Sequence, residues 1–133
     1  MQASSPELTK ILEASTFRVM PGVYKYVKAK VRPSSGDHFA IVEDRDEITV
    51  VTKQPEKVEA FETNPSDYVL VETGVSVPFY SVGYLAAIGQ AIAARQMNLL
   101  FISTFSKDYF LVLKSKTEEA VEVLKELGLK AKE

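Results

Sequence analysis

Hydrophobic positions along the chain change period several times, and each change marks an expected element. The clearest pattern lies between Tyr80 and Lys114. Val82, Leu85, Ile88 and Ile92 recur three and four residues apart, which predicts a helix with one apolar stripe. A second face carries Gly83, Ala87, Ala91 and Ala94, small enough to let another backbone lie close. From Asn98 the helical period is lost. Residues 99–102 and 109–113 are unbroken apolar runs, the pattern of strands covered on both faces. Phe105, Ser106, Lys107 and Asp108 lie between them and predict the reversal of an antiparallel hairpin. Ser115 and Glu118 are then spaced as a capping box ahead of a last helix. Ala120, Leu124 and Leu127 form its inner stripe, Val121 and Val123 flank it, and Gly128 stands where a C-terminal cap belongs. Residues 130–133 read as a charged, frayed tail.

Upstream the patterns are shorter. Ser5-Pro6-Glu7 opens a helix with Leu8, Ile11 and Leu12 on its inner face. Residues 16–20 suit a strand, and Pro21-Gly22 a turn. Val23, Val27, Ala29 and Val31 then alternate with Tyr24, Tyr26, Lys28 and Lys30, a half-exposed strand interrupted at Lys25. Residues 32–37 form a loop by composition. Residues 39–43 and 47–53 predict a second hairpin around Asp44-Arg45-Asp46, and 55–61 a short helix with Pro55 in its first turn. Asn64-Pro65-Ser66-Asp67 reads as the boundary between two halves, 1–66 and 67–133. Tyr68, Leu70 and Glu72 alternate with Val69, Val71 and Thr73 in the first strand of the second half. The loop that follows is unusually apolar, with Val75, Val77, Pro78, Phe79 and Tyr80.

Composition narrows the function classes. With 46% hydrophobic and 26% charged residues, the 133-residue chain has the make-up of an ordinary globule, in one domain or two small halves. Lys+Arg 16 against Asp+Glu 18 gives a net charge of -2, so nothing marks a nucleic-acid partner. The lack of cysteine excludes disulfides, thiolate metal sites and thiol catalysis. The first residues do not read as a signal peptide, and no apolar run reaches the ~18 residues of a membrane span. A cytoplasmic protein without membrane partners is expected.

The order strand, helix, strand, strand, helix over residues 68–127 resembles an ACT domain. The run Phe101-Ile-Ser-Thr-Phe-Ser-Lys-Asp-Tyr-Phe-Leu-Val112 is similar to the STxxTDxxLV stretch of the CASTOR-type arginine sensors and the related short prokaryotic ACT proteins. Gly83 falls at the glycine that opens the family's first helix. Arg18-Val19, followed by Pro21-Gly22-Val23-Tyr24-Lys25-Tyr26, resembles the segment ahead of the ACT half. The regulatory domain of aspartate kinase is similar as well. The resemblance implies an α+β fold of two ferredoxin-like, ACT-like halves, βαββαβ in residues 67–133 and a reduced version in 1–66. Each would be an antiparallel sheet with helices on one face. It also implies a regulatory or sensor protein that binds a small molecule, an amino acid, and pairs into a homo-oligomer, a dimer or higher. No cofactor and no metal are implied. The competing reading is an oligomerisation or protein-interaction module without a ligand. An acidic residue common in ACT loops before the glycine is missing here.

Candidate binding residues follow from the resemblance and from charge. In the resembled sensors the aspartate matching Asp108 contacts an amino-acid ligand, and a carboxylate there suits an ammonium group; Asp is equally an ordinary turn residue. A helix N-terminus attracts carboxylates, so Ser76, Ser81 and the amides near Val82 and Gly83 are candidates to hold one. Val77, Phe79 and Tyr80 would wall the pocket. The plainer alternative makes Ser81 an N-cap and the aromatics core. Ser103, Thr104 and Phe105 share the hairpin, either hydrogen-bonding and stacking on the ligand or packing a sheet edge. His38, the single histidine, suits a structural role. Glu43, Asp44, Asp46 and Glu47 surround a turn without the spacing of a cation loop. No nucleophile–base pair or phosphate loop is present, so catalysis is not expected.

Overall fold

The first strand, β1 (Thr16–Val19), pairs with a strand far along the chain, β6 (Tyr68–Gly74). The two run antiparallel, Thr16 opposite Gly74 and Val19 opposite Val71. That pairing divides the molecule. Met20 and the residues before it join Val69 and the residues after it in one unit, while Pro21–Tyr68 form a second unit inserted between β1 and β6. The division expected at 66/67 therefore meets only one end of the insertion. Helix α1 (Pro6–Glu13) and β1 belong with the C-terminal elements, because Leu12 and Phe17 are buried in one cluster with Val71, Ile88 and Phe110. The computed structural model describes residues 6–74 and 83–132.

In the first unit β6 is followed by α2 (Tyr84–Ala94), β7 (Leu100–Ser103), β8 (Asp108–Leu113), α3 (Thr117–Leu127) and β9 (Lys130–Ala131), the expected βαββαβ order. The sheet order is β7-β8-β6-β1-β9. β1 thus lies between the first and last strands of that motif and runs parallel to β9. The tail expected to fray is a strand: the Lys130 N–H donates to the Ser15 carbonyl at 3.0 Å and the Lys132 N–H to that of Phe17 at 2.7 Å. The open edge of β1 supplies the acceptors, which a two-residue charged segment does not advertise in sequence. The three helices pack on the strands through Phe17, Val71, Phe110 and Val112, against Leu12, Tyr84, Ile88, Ile92, Ala120 and Leu124.

Helix α3 starts differently from its capping box. A 3-10 turn, Lys114–Lys116, precedes it and carries Ser115 into the lead-in, so Lys116 takes the cap position without a side-chain bond. Instead, Thr117 Oγ1 donates to the Lys114 carbonyl at 2.7 Å. The other end is as expected. Gly128 adopts φ +113°, and a Cβ there would stand 3.3 Å from Glu13 Cγ. Gly128→Ala is expected to lower stability by about 1–2 kcal/mol in urea unfolding, from the left-handed conformation and that close approach.

The second unit is a four-stranded antiparallel sheet, β2 (Lys25–Ala29), β3 (His38–Glu43), β4 (Ile48–Thr52) and β5 (Ala60–Thr63), in the order β3-β4-β2-β5. Its described residues include no α-helix, so the reduced half is a sheet. The helix expected over 55–61 is a single 3-10 turn, Pro55–Lys57, followed by β5. The free edge of β2 draws the segment into the ladder, with Lys30 N–H to Glu59 O at 2.8 Å and Asn64 N–H to Tyr26 O at 2.9 Å. Tyr24, expected on the polar face, is 5% exposed, whereas Val31 is 52% exposed. The Tyr24 backbone is held by an isolated bridge to Tyr68, and its ring meets Phe39 edge-on at 6.4 Å between centroids.

His38 ties the 32–37 loop to β4. Its Nε2 lies 2.8 Å from the Ser35 carbonyl and its Nδ1 2.8 Å from Thr52 Oγ1. A carbonyl only accepts, so the neutral ring carries its proton on Nε2, and the Thr52 hydroxyl donates to Nδ1. Nitrogen-15 NMR of the neutral ring should show the Nε2–H tautomer; the Nδ1–H form would contradict the pairing. No helix among the described residues is long and apolar enough to cross a membrane.

Candidate ligand-binding site

Asp108 is the first residue of β8, opposite Ser103 at the end of β7, and not part of the reversal. The turn closes one residue earlier, where the Thr104 N–H donates to the Lys107 carbonyl at 2.9 Å. Ser103 Oγ donates to Asp108 Oδ1 at 2.6 Å, and Thr73 Oγ1 donates to the Asp108 carbonyl at 2.7 Å. The ends of β6, β7 and β8 are thereby fastened around one carboxylate. The structure brings Ser103 and Asp108 together. Thr104 Oγ1 turns back on the Lys107 carbonyl at 3.3 Å, and Phe105 is 87% exposed at the hairpin tip. Ser76, Val77, Phe79, Tyr80, Ser81 and Val82 lie outside the described residues. Gly83 is the N-cap of α2 with φ +84°, and a Cβ there would meet Leu8 Cδ2 at 3.4 Å.

Tyr84, which the sequence reading passed over, completes the inner side of this group. It is buried in the cluster of helices and sheet, and its hydroxyl has no hydrogen-bond partner among the described residues. Burial pushes this phenol above its usual range. The nearby Ser15 and Thr73 hydroxyls pull the other way, and the Asp108 charge raises it further. Both hydroxyls are close, yet neither reaches hydrogen-bonding geometry with Tyr84, and each directs its own proton elsewhere: Ser15 Oγ to Ile11 O at 2.6 Å, Thr73 to Asp108 O. The signal was available in sequence. Tyr84 stands four residues before Ile88 and eight before Ile92, on the same stripe.

Successive strand residues face opposite sides, so Glu72 lies on the other face from Thr73. Its Oε2 accepts from Tyr109 Oη at 2.9 Å and from Lys107 Nζ at 3.3 Å, and Arg18 stands opposite it on β1. Burial works to raise the Glu72 pKa, but the bonds from Tyr109 and Lys107 and the charges of Lys107 and Arg18 outweigh it, and the pKa falls below 4.5. A carboxylate depressed in the folded state adds stability above its unfolded pKa and loses it as pH falls through the folded one. Stability should therefore decline below about pH 4.5. Glu72→Gln should flatten that decline in urea titrations between about pH 6 and 3; an unchanged acid limb would show that Glu72 is not a source of it.

Residues 65–126 match the family model of the ACT domain. This segment is an ACT domain. No curated protein matches the chain. Among solved structures, a protein of unknown function from Vibrio cholerae, described as a possible transport protein, is similar with a TM-score of 0.80 and 22% identity, over 92% of this chain and 96% of its own. A protein from Agobacterium tumefaciens is similar with a TM-score of 0.69 and 16% identity, over 89% and 92%. The regulatory subunit of aspartate kinase from Thermus flavus follows at 0.62 and 12%, over 86% and 96%. These likenesses are of fold. Within the ACT domain, Thr73, Gly83, Ser103 and Asp108 sit at the ends of β6, β7 and β8 and the start of α2.

Two open grooves of about 560 and 360 Å³ lie on the second unit. They are lined by Lys28, Glu47, Phe61 and Glu62 among others, and by none of the candidate residues. Asp44 Oδ1 accepts from the N–H groups of Asp46 and Glu47 at 2.8 and 2.9 Å, and Glu43 is bonded to Arg32. Those two carboxylates hold the hairpin end, and no group of three or more metal-ligating side chains occurs among the described residues.

Proposed function

We propose that this protein is a regulatory module that binds an amino acid at the ACT domain. The observation that carries the reading is the Asp108 carboxylate, fixed by Ser103 beside the buried Thr73 and Tyr84 where α2 begins. A fixed anion suits the ammonium of a zwitterion, and the helix start suits its carboxylate. In this reading Gly83, the N-cap of α2, borders the pocket. The regulatory subunit among the structural neighbours supports a role in control rather than catalysis. The test is a thermal-shift screen against the twenty amino acids and common nucleotides. One or a few amino acids should raise the melting temperature, because binding to the folded state alone stabilises it. A screen without a hit at about millimolar concentration removes the reading, since [L]/Kd then stays too small to stabilise.

The interaction-module reading has its own observation. Ile41 and Val42 are 42% and 56% exposed on β3, an edge of the second sheet, and Phe61 is exposed on β5, the other edge. Unpaired edges with apolar side chains favour pairing with another chain. Light scattering at about micromolar concentration should give at least a dimer mass if this edge pairs copies of the chain, as expected of apolar edge strands. A monomer mass would remove the homo-oligomer from the account.

A further inference from the structure

The first unit holds a group of hydroxyls, two of them deeply buried, whose protons are already engaged. Ser15 is 0% exposed and Thr73 2% exposed, yet both donate to backbone carbonyls. Ser103 donates to Asp108. Tyr84, 4% exposed, is buried near Ser15, Thr73 and Asp108, with its oxygen unpartnered among the described residues. A buried polar side chain without a partner is rare and asks for a reason. Here the Tyr84 hydroxyl leaves both its lone pairs and its proton unused, near a carboxylate.

We propose that the Tyr84 hydroxyl, grouped with Ser15 and Thr73 beside Asp108, receives a primary ammonium group of the bound molecule. This deepens the amino-acid reading by naming which end of the zwitterion enters here. An ammonium brings three donors and no acceptor, which complements hydroxyl lone pairs and one anion. A ligand carboxylate would meet the charge of Asp108 and find only the Tyr84 proton to bond it, since those of Ser15, Thr73 and Ser103 are engaged. Tyr84 is therefore a ligand-positioning residue that no turn or loop motif in the sequence marks.

Tyr84→Phe tests this, since it keeps the ring and removes only the oxygen. Without any added molecule its melting temperature should rise by about 3 °C, because an unpaired buried hydroxyl is lost. A fall would mean that the hydroxyl is already bonded and would overturn the proposal. Each amino acid that scores in the thermal screen is then titrated together with its des-amino acid. The variant should bind the amino acid about tenfold or more weakly. It should bind the des-amino acid as the unmodified protein does; equal affinity of both proteins for the amino acid overturns the assignment. If no amino acid scores, methylammonium and ethylenediamine are titrated by NMR. Shifts at the Thr73 and Asp108 amides that vanish in Tyr84→Phe support the ammonium pocket while removing the amino-acid reading, and no shift overturns both. Should Tyr84→Phe fail to fold, Ser15→Ala carries the same titrations.

Discussion

Phe110→Asp is expected to leave no folded protein. Phe110 is fully buried in the middle of β8, within the cluster that joins three helices to the sheet. Its ring meets Phe101 edge-on with centroids 6.0 Å apart. Truncating such a phenylalanine removes about 3–5 kcal/mol. A carboxylate in its place adds the cost of a buried, unpaired charge, several kcal/mol more. The sum reaches the whole stability of a small domain, about 5–15 kcal/mol. Leu113→Asp supplies the control from the same strand, where the side chain is 41% exposed, and should cost about 1 kcal/mol or less. Soluble expression and circular dichroism of both variants check the pair. A cooperative melt of Phe110→Asp near that of the unmodified protein would show that the cluster is not the core.

Asp108→Ala carries the largest expected effect on binding. If Asp108 pairs with the ammonium of an amino acid in a partly buried setting, its removal should weaken binding by about 2–5 kcal/mol, roughly 30-fold or more. Stability without ligand should change far less. The backbone carbonyl that receives the Thr73 bond remains, and only the Ser103 hydroxyl loses its acceptor. Asp108→Asn separates the two contributions, because the amide still accepts from Ser103 but carries no charge. Isothermal titration should place Asp108→Asn close to Asp108→Ala; affinity near that of the unmodified protein would assign Asp108 to the hairpin alone.

The ACT domain was legible in sequence where the pattern is local and strong. Residues 109–113 give β8 because an unbroken apolar run suits a buried strand, residues 99–102 give the partly buried β7 beside it, and Gly128 marks the end of α3 because the left-handed cap suits glycine. The unit boundary was not legible, because β1 finds its partner only at residues 71–74 and nothing in Thr16–Val19 names a distant strand. β9 and β5 escaped for a related reason: each is short and exposed, and each exists because a neighbouring strand offers an open edge. Asp108 and Ser103 were singled out through the motif, and the structure places them side by side. Tyr84 was passed over because the helical stripe marks only its burial, while Ser15, Thr73 and Asp108, the side chains near its hydroxyl, come from three other stretches of chain.

The most direct test of the account is a proton–nitrogen NMR titration of the labelled protein with the amino acid that scores in the thermal screen. The account predicts saturable shifts at the amides of Thr73, Gly83, Ser103, Tyr84 and Asp108, with residues 21–68 largely still. Shifts confined to residues 21–68, or none at saturation, would contradict it.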